Sequence, residues 1–117
     1  MNLLSPKEKA VMIDKSTEPP FSGEYDDFYQ EGVYYCRQCD APLFDSKAKF
    51  DAGCGWPAFD ASFKDAIIEI PDPDGNRVEI ICGQCKGHLG HAFRGEGYTE
   101  TDTRHCVNSL SMKFVKS

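Results

Sequence analysis

Two cysteine pairs with the same spacing constrain this chain more than any other feature of its sequence. Two residues separate Cys36 from Cys39, two separate Cys82 from Cys85, and 42 residues lie between the pairs. A gap of two lets a tight turn aim both sulfur atoms at one ion, and four thiolates complete the tetrahedral ligand set that Zn²⁺ prefers. Because four thiolates leave no open coordination position, the zinc that this pattern predicts is structural.

Two redox dithiols or two disulfides are the alternative interpretations of these four cysteines. The longest apolar run near the start covers only the four residues from Ala10 to Ile13, too few for a signal-peptide core or a membrane span. We therefore expect a cytoplasmic protein without membrane contact. Thiols stay reduced in that compartment, which favours zinc.

The length of 117 residues predicts a single domain over 1–117. Ser5 and Glu8 form a capping box with Pro6 at the first helical position, so a helix is expected to about residue 14. A second helical turn is expected from an aromatic cluster of Tyr25, Phe28 and Tyr29. Residues 1–32 are thus predicted to be a helical N-terminal arm.

Residues 33–117 are predicted to be a zinc-bound β core, because short β-prone runs alternate there with turn residues. The turn from Pro71 to Asn76 is rich in Pro, Asp and Gly. The expected strands are Val33–Cys36, Leu43–Phe44, Ala66–Ile70, Val78–Ile81 and Val107–Val115. The fold class is mainly β, largely antiparallel and closed by the metal.

Cys106 lies where an extended chain would give it polar neighbours. If residues 104 to 114 are extended, Arg104, Cys106 and Asn108 share one face of the strand. A nearby cation favours the nucleophilic thiolate, and Asn108 can donate or accept a hydrogen bond. A buried structural cysteine is the alternative, but polar neighbours argue against an apolar niche.

His88 and His91 follow the second knuckle, close to Gly87 and Gly90. They could be zinc ligands, although four thiolates already fill that site, or histidines without a chemical task. Beside a nucleophilic cysteine they could act as proton donors, because a histidine titrates near neutral pH.

Cys54 and Trp56 lie in a loop with Gly53, Gly55 and Pro57. The glycines predict a mobile loop in which Cys54 can swing to meet another cysteine. Trp56, the only tryptophan, is either a lid over the core or a platform for an apolar ligand. These residues together suit thiol redox chemistry on a small, partly apolar group.

The charge argues against nucleic acid as a partner. Lys and Arg total 13 against 19 Asp and Glu, a formal net charge of −6, whereas nucleic-acid binding needs a basic surface.

The sequence closely resembles the B-class methionine sulfoxide reductases over almost its whole length. Besides the knuckles, the resemblance rests on three motifs, Cys54-Gly55-Trp56-Pro57, His88-Leu89-Gly90-His91-Ala92-Phe93 and Arg104-His105-Cys106-Val107-Asn108-Ser109. It implies two antiparallel sheets with short N-terminal helices.

The resemblance also implies a role for each matching residue. Cys106 matches the catalytic nucleophile and Cys54 the resolving cysteine. Trp56 matches the residue that holds the substrate's methyl group, and Phe93 is expected to bind substrate beside it. The remaining predicted catalytic residues are His88, His91, Arg104 and Asn108, and the predicted zinc ligands are Cys36, Cys39, Cys82 and Cys85.

The implied reaction reduces the R epimer of methionine sulfoxide. The expected substrate is the residue in a protein, with the free amino acid as a second substrate. Cys106 becomes a sulfenic acid, Cys54 condenses with it to a disulfide, and a dithiol such as thioredoxin opens that disulfide. The expected partners are oxidised proteins or peptides and thioredoxin, with the chain a monomer. The alternative is a non-enzymatic zinc-knuckle β domain that binds a small ligand or peptide; it would not need Cys106, Arg104 and Asn108.

Overall fold

Two antiparallel β-sheets form the framework of the computed structural model, which describes residues 1–73 and 77–117. This confirms the predicted mainly β class. In the described residues the strands are β1 (Gly32–Cys36), β2 (Pro42–Asp45), β3 (Lys49–Phe50), β4 (Ala58–Phe59), β5 (Ile67–Pro71), β6 (Val78–Cys82), β7 (His88–Arg94), β8 (Thr103–Val107) and β9 (Met112–Lys116).

The N-terminal arm contains one short helix instead of several. Helix α1 (Pro6–Met12) begins with the predicted capping box, and Ile13 is its C-cap. Lys15 and Phe21 have φ values of 61° and 64°, a left-handed backbone that cannot continue an α-helix. Residues 24–27 form a hydrogen-bonded turn at the place expected near Tyr25, and this turn does not extend into a second α-helix.

The strand predicted over Val107–Val115 is wrong. β8 ends at Val107, a 3₁₀ helix over Ser109–Ser111 follows, and β9 starts at Met112. β8 lies inside the sheet of order β3-β4-β8-β7-β6-β5, whereas β9 pairs with β1 in the sheet of order β2-β1-β9. The short helix therefore carries the chain from one sheet to the other, and the alternation of faces ends before Ser109.

Sequence reasoning also missed β3, β4 and β7. β3 and β4 have only two residues each, and the glycine and histidines of β7 hide its strand pattern. Gly90 is required there, because a Cβ at this position would lie 1.9 Å from the carbonyl oxygen of Cys106 on β8. β7 and β8 can therefore approach closely beside the cysteine.

An aromatic core fills the space between the sheets. Phe44 and Phe59 are fully buried and stack with ring centroids 4.4 Å apart. Tyr25 and Phe28 pack edge to face on each other, as the predicted cluster requires. Tyr29 does not join them, because it is 52% exposed.

The turn predicted from Pro71 to Asn76 starts at the end of β5, because Pro71 closes that strand. The rest of the predicted turn includes residues 74–76, which lie outside the described residues.

The described part of the chain contains no helix with the length and apolarity needed to cross a bilayer.

Candidate active site and metal centre

The two cysteine knuckles are copies of one turn. Cys36 ends β1 and Cys82 ends β6, so each knuckle starts at the end of a strand. Asp40 and Lys86, which follow the second cysteine of each knuckle, both have φ of 66°. Each of them donates its backbone N–H to the carbonyl of the first cysteine at 2.9 Å. The turns thus present their sulfur atoms in the same way from two different sheets.

The four knuckle sulfur atoms lie within 4.8 Å of one another. Cys36 to Cys85 and Cys39 to Cys82 are each 3.6 Å, and each of these distances joins the two knuckles. Four sulfurs at about 2.3 Å from a central zinc are separated by about 3.8 Å, so the cluster has the size of a tetrahedral site. The predicted group of four cysteines could therefore hold a metal ion that links the two sheets.

The remaining cysteines form a second pair. Cys106 lies on β8 opposite Ala58 of β4 and His91 of β7. Its thiol and that of Cys54 are near enough to perturb each other's pKa, while the Cys54 thiol donates to the Trp56 carbonyl at 3.3 Å. Gly53 has φ of 66° and its N–H donates to Asp51 Oδ1 at 2.9 Å, while the predicted mobility of this loop stays a prediction.

This pair loses its first proton easily. The neighbouring Cys106 thiol lowers the pKa of Cys54 to about 6, and the Arg104 cation acts in the same direction. The neighbouring Cys54 thiol and burial raise the pKa of Cys106. The two thiols therefore titrate as an interacting pair, in which ionisation of one opposes ionisation of the other.

Arg104 reaches this pair from a fixed position. Its Nε donates to Glu96 Oε1 at 2.8 Å, and its guanidinium lies 4.3 Å from the centroid of the Phe93 ring. Sequence reasoning missed Glu96, because this residue is in an irregular loop with no recognisable pattern. The cation is thus held by an acid and a ring while it faces the thiols.

A pocket of about 220 Å³ opens beside Cys106. This volume is below that of common drug-sized sites, so the pocket suits a group as small as one side chain. It brings five predicted residues together, but sequence reasoning missed Thr17 and Arg77. The lining residues are Thr17, Trp56, Arg77, Gly90, His91, Phe93, Cys106 and Asn108.

The two histidines have different surroundings. His91 lines the pocket, and burial followed by the nearby His88 lowers its pKa. His88 is buried behind it, with ring centroids 5.6 Å apart, and its Nδ1 is 2.8 Å from Glu79 Oε2. Neither histidine belongs to the group of four cysteines that could hold a metal ion.

Asn108 is engaged with the backbone. Its Oδ1 accepts from the Glu18 N–H at 3.1 Å, and its Nδ2 donates to the Leu89 carbonyl at 3.0 Å. These bonds fix Asn108 in the pocket wall. A catalytic role for its amide stays a prediction, as do the roles given to the other site residues.

Two neighbouring thiols with perturbed pKa values, beside a cation and a small pocket, are typical of a thiol-dependent oxidoreductase. Residues 4–116 match the SelR domain family, and the chain belongs to this family. The prediction of a methionine sulfoxide reductase B, an oxidoreductase, is confirmed by this membership together with the names of the relatives described next.

Three plant proteins illustrate the relationship. Peptide methionine sulfoxide reductase B5 of Oryza sativa subsp. japonica is 57% identical over 97% of this chain and 84% of its own length. The B5 protein of Arabidopsis thaliana is 54% identical over 96% of this chain and 81% of its own length. The chloroplastic B3 protein of Oryza sativa subsp. japonica is 55% identical over 97% of this chain, which spans only 50% of that relative.

A solved structure shows that the fold extends beyond this family. The Yippee-like domain of Mis18 superposes with a TM-score of 0.55 over 75% of this chain and 98% of that domain, at 15% identity. This likeness concerns the fold alone.

Proposed function

We propose that the chain reduces the R epimer of methionine sulfoxide in oxidised proteins and peptides, with the free amino acid as a second substrate. The observation that carries the proposal is the position of Cys106, which lines a small pocket and lies near enough to the Cys54 thiol to perturb its pKa. The ring of Trp56 offers the methyl group an apolar wall, and His91 offers the sulfoxide oxygen a polar one. Only one sulfur epimer satisfies both walls at once.

In the proposed reaction the Cys106 thiolate attacks the sulfoxide sulfur. A proton reaches the sulfoxide oxygen from His91, directly or through water, and makes that sulfur electrophilic. The protonated oxygen then passes from the substrate sulfur to the Cys106 sulfur while the bond between the two sulfur atoms breaks, so that Cys106 becomes a sulfenic acid and methionine leaves with the electron pair that Cys106 supplied. Because burial lowers the pKa of His91, its imidazolium gives up a proton readily.

Cys54 then regenerates the nucleophile. Its sulfur attacks the sulfenic acid of Cys106, water leaves, and a Cys54–Cys106 disulfide forms. A dithiol protein such as thioredoxin reduces this disulfide and becomes oxidised itself. The mutual effect of the two thiols on their pKa values supports this step, because it places Cys54 in the neighbourhood of Cys106.

The metal of the four-cysteine cluster is zinc in this proposal. Cys36, Cys39, Cys82 and Cys85 would hold one ion, which supplies a crosslink between the sheets and takes no part in the redox step. We also propose that the chain acts in the cytoplasm, because both sites need reduced thiols. The proposed oligomeric state is a monomer.

The decisive experiment is an assay with separate R and S epimers of methionine sulfoxide and dithiothreitol as reductant. We expect reduction of the R epimer alone, and a weaker R activity without any S activity in Trp56→Ala. Equal use of both epimers by the native protein would refute the proposed pocket. Binding of the sulfoxide without any reduction would favour the alternative, a non-enzymatic zinc-knuckle domain that binds a small ligand or peptide.

A further inference from the structure

Glu18 is a buried acidic residue that the proposed reaction does not use. It is 5% exposed, and burial raises the pKa of its carboxyl group. None of the ion pairs in the described residues includes it. A buried acid without a cation is uncommon, so its position needs a specific reason.

The carboxylate of Glu18 binds the start of the 3₁₀ helix that follows β8. Its Oε1 accepts from the Ser109 N–H at 2.6 Å, and its Oε2 accepts from the Leu110 N–H at 3.3 Å. Asn108 is the N-cap residue of this helix, but its side chain makes no cap hydrogen bond. Glu18 therefore provides the cap from a segment 91 residues away in sequence.

The side chain of each residue accepts from the backbone beside the other: Asn108 accepts from the N–H of Glu18, and Glu18 accepts from the N–H of Ser109. The Asn108 Oδ1 is free to accept from the Glu18 N–H at 3.1 Å, because the carboxylate of Glu18 has taken over the cap. This arrangement resembles a capping box whose halves come from distant parts of the chain. It fixes the backbone of residue 18 against one wall of the pocket.

The backbone carbonyl of Glu18 holds a second lining residue of the pocket, Trp56. The indole Nε1 of Trp56 donates to the Glu18 carbonyl at 2.9 Å. Trp56 and Asn108 both line the pocket, so the backbone of one residue connects the two walls. Any displacement of residue 18 changes the distance between them.

Close packing prevents such a displacement. A Cβ at Gly23 would lie 2.3 Å from Ser109 Oγ and 2.6 Å from Glu18 Oε1. The Ser109 hydroxyl also accepts from the Tyr25 N–H at 3.1 Å. The carboxylate is thus enclosed between the N-terminal segment and the 3₁₀ helix.

We propose that Glu18 is a positioning residue that sets the spacing of the substrate pocket by holding Trp56 and Asn108 at a fixed separation. The part that concerns substrate rests on the proposed function. The part that concerns Trp56 does not, and it is tested separately.

The test compares native protein with Glu18→Gln and Glu18→Ala. Gln has the size of Glu but turns an NH₂ group towards one of two backbone N–H donors, which leaves that donor without an acceptor. We expect KM for methionine sulfoxide to rise by about 10-fold to 100-fold with kcat nearly constant, because misplaced walls weaken binding. The rate at which iodoacetamide alkylates Cys106 should stay within about twofold, since Glu18 does not contact that thiol.

Fluorescence gives a readout that does not depend on turnover. Trp56 is the only tryptophan, so emission reports on its surroundings alone. In Glu18→Gln we expect emission at longer wavelength and stronger quenching by acrylamide, because the backbone carbonyl that accepts from the indole is no longer held in place. If the native protein reduces no sulfoxide, the proposed function fails while this readout still decides the position of Trp56.

The matched control is Asp45→Asn. Asp45 also caps a 3₁₀ helix, since its Oδ1 accepts from the Lys47 N–H at 2.9 Å, but it does not line the pocket. We expect native KM and emission in this variant. Unchanged KM and emission in folded Glu18→Gln, equal changes in Asp45→Asn, or a Glu18→Gln protein that cannot fold would each overturn the proposal in favour of a general stabilising role.

Discussion

The six cysteines occupy two regions that treat the same side chain differently. In the knuckle region four sulfur atoms face one another within 4.8 Å, and each comes from a tight turn at a strand end. In the pocket region two thiols lie near each other and near the Arg104 cation. An open volume of about 220 Å³ lies beside Cys106. A closed set of thiolates suits a metal, whereas an accessible pair beside a cation suits reaction. The neighbours of a cysteine, more than the cysteine itself, thus decide its chemistry.

The largest expected effect is loss of the metal site. Cys85→Ser should not fold, because metal-binding energy in small metal-binding domains is folding energy, and a domain has only about 5–15 kcal/mol of stability. Metal content and circular dichroism measure this outcome. Cys54→Ser is the matched control and should keep one zinc per chain and the native spectrum. A metal-free chain with native structure would remove the distinction between the two regions.

The next effect is confined to the pocket region. Cys106→Ser should fold with its zinc but lose at least about 1,000-fold in turnover with every reductant, since a hydroxyl is a far poorer nucleophile at neutral pH. Steady-state assays with dithiothreitol and with thioredoxin check this. Residual activity near the native level with either reductant would show that another group attacks the sulfoxide.

Cys54→Ser should have a smaller and more selective effect. One methionine per chain should still form in a single turnover and leave Cys106 as sulfenic acid. Cycling on thioredoxin should slow at least about 10-fold, because no disulfide forms, and a small thiol should restore part of the rate. Cycling on thioredoxin at the native rate would mean that Cys54 is not the resolving residue.

The smallest effect is a shift in pH dependence. Alkylation of Cys54 by iodoacetamide should rise with pH around a midpoint of about 6, because the thiolate is the reactive form. Cys106→Ala removes the neighbouring thiol that lowers the pKa of Cys54, so the pKa and the midpoint should move up towards the ordinary value of about 8.5. Peptide mass spectrometry at each pH measures the labelled fraction, and an unmoved midpoint would show that the two thiols do not interact.

The parts of the site that could be predicted from sequence depend on short spacing. Two residues between cysteines determine a knuckle, and alternation along β8 places Arg104 beside Cys106, so local pattern was sufficient there. The failed strand over Val107–Val115 shows the limit of this reasoning. Its β-prone residues continue beyond Val107, but the chain must leave one sheet for the other, and only tertiary structure requires the 3₁₀ helix.

The supporting residues could not be predicted because their partners are distant or irregular. Glu18 acts through residues about 90 positions away, and Glu79 supports His88 through a pairing of neighbouring strands. Glu96 holds Arg104 from an irregular loop. The loop of Cys54 shows the opposite case, because its glycines could be located from sequence: Gly53 and Gly55 have φ of 66° and 90°, a backbone that favours glycine.

The order of strands has a consequence for synthesis on the ribosome. Both knuckles are complete once residue 85 has emerged, whereas β8 inserts between β4 and β7, and β9 pairs with β1 in a register that joins Gly32 to Lys116. A nascent chain can therefore gather its four metal-binding sulfur atoms before either sheet can close. The nucleophile reaches its partners only when residues 103–116 have been made, so an interrupted translation product would have a place for a metal but no reductase site.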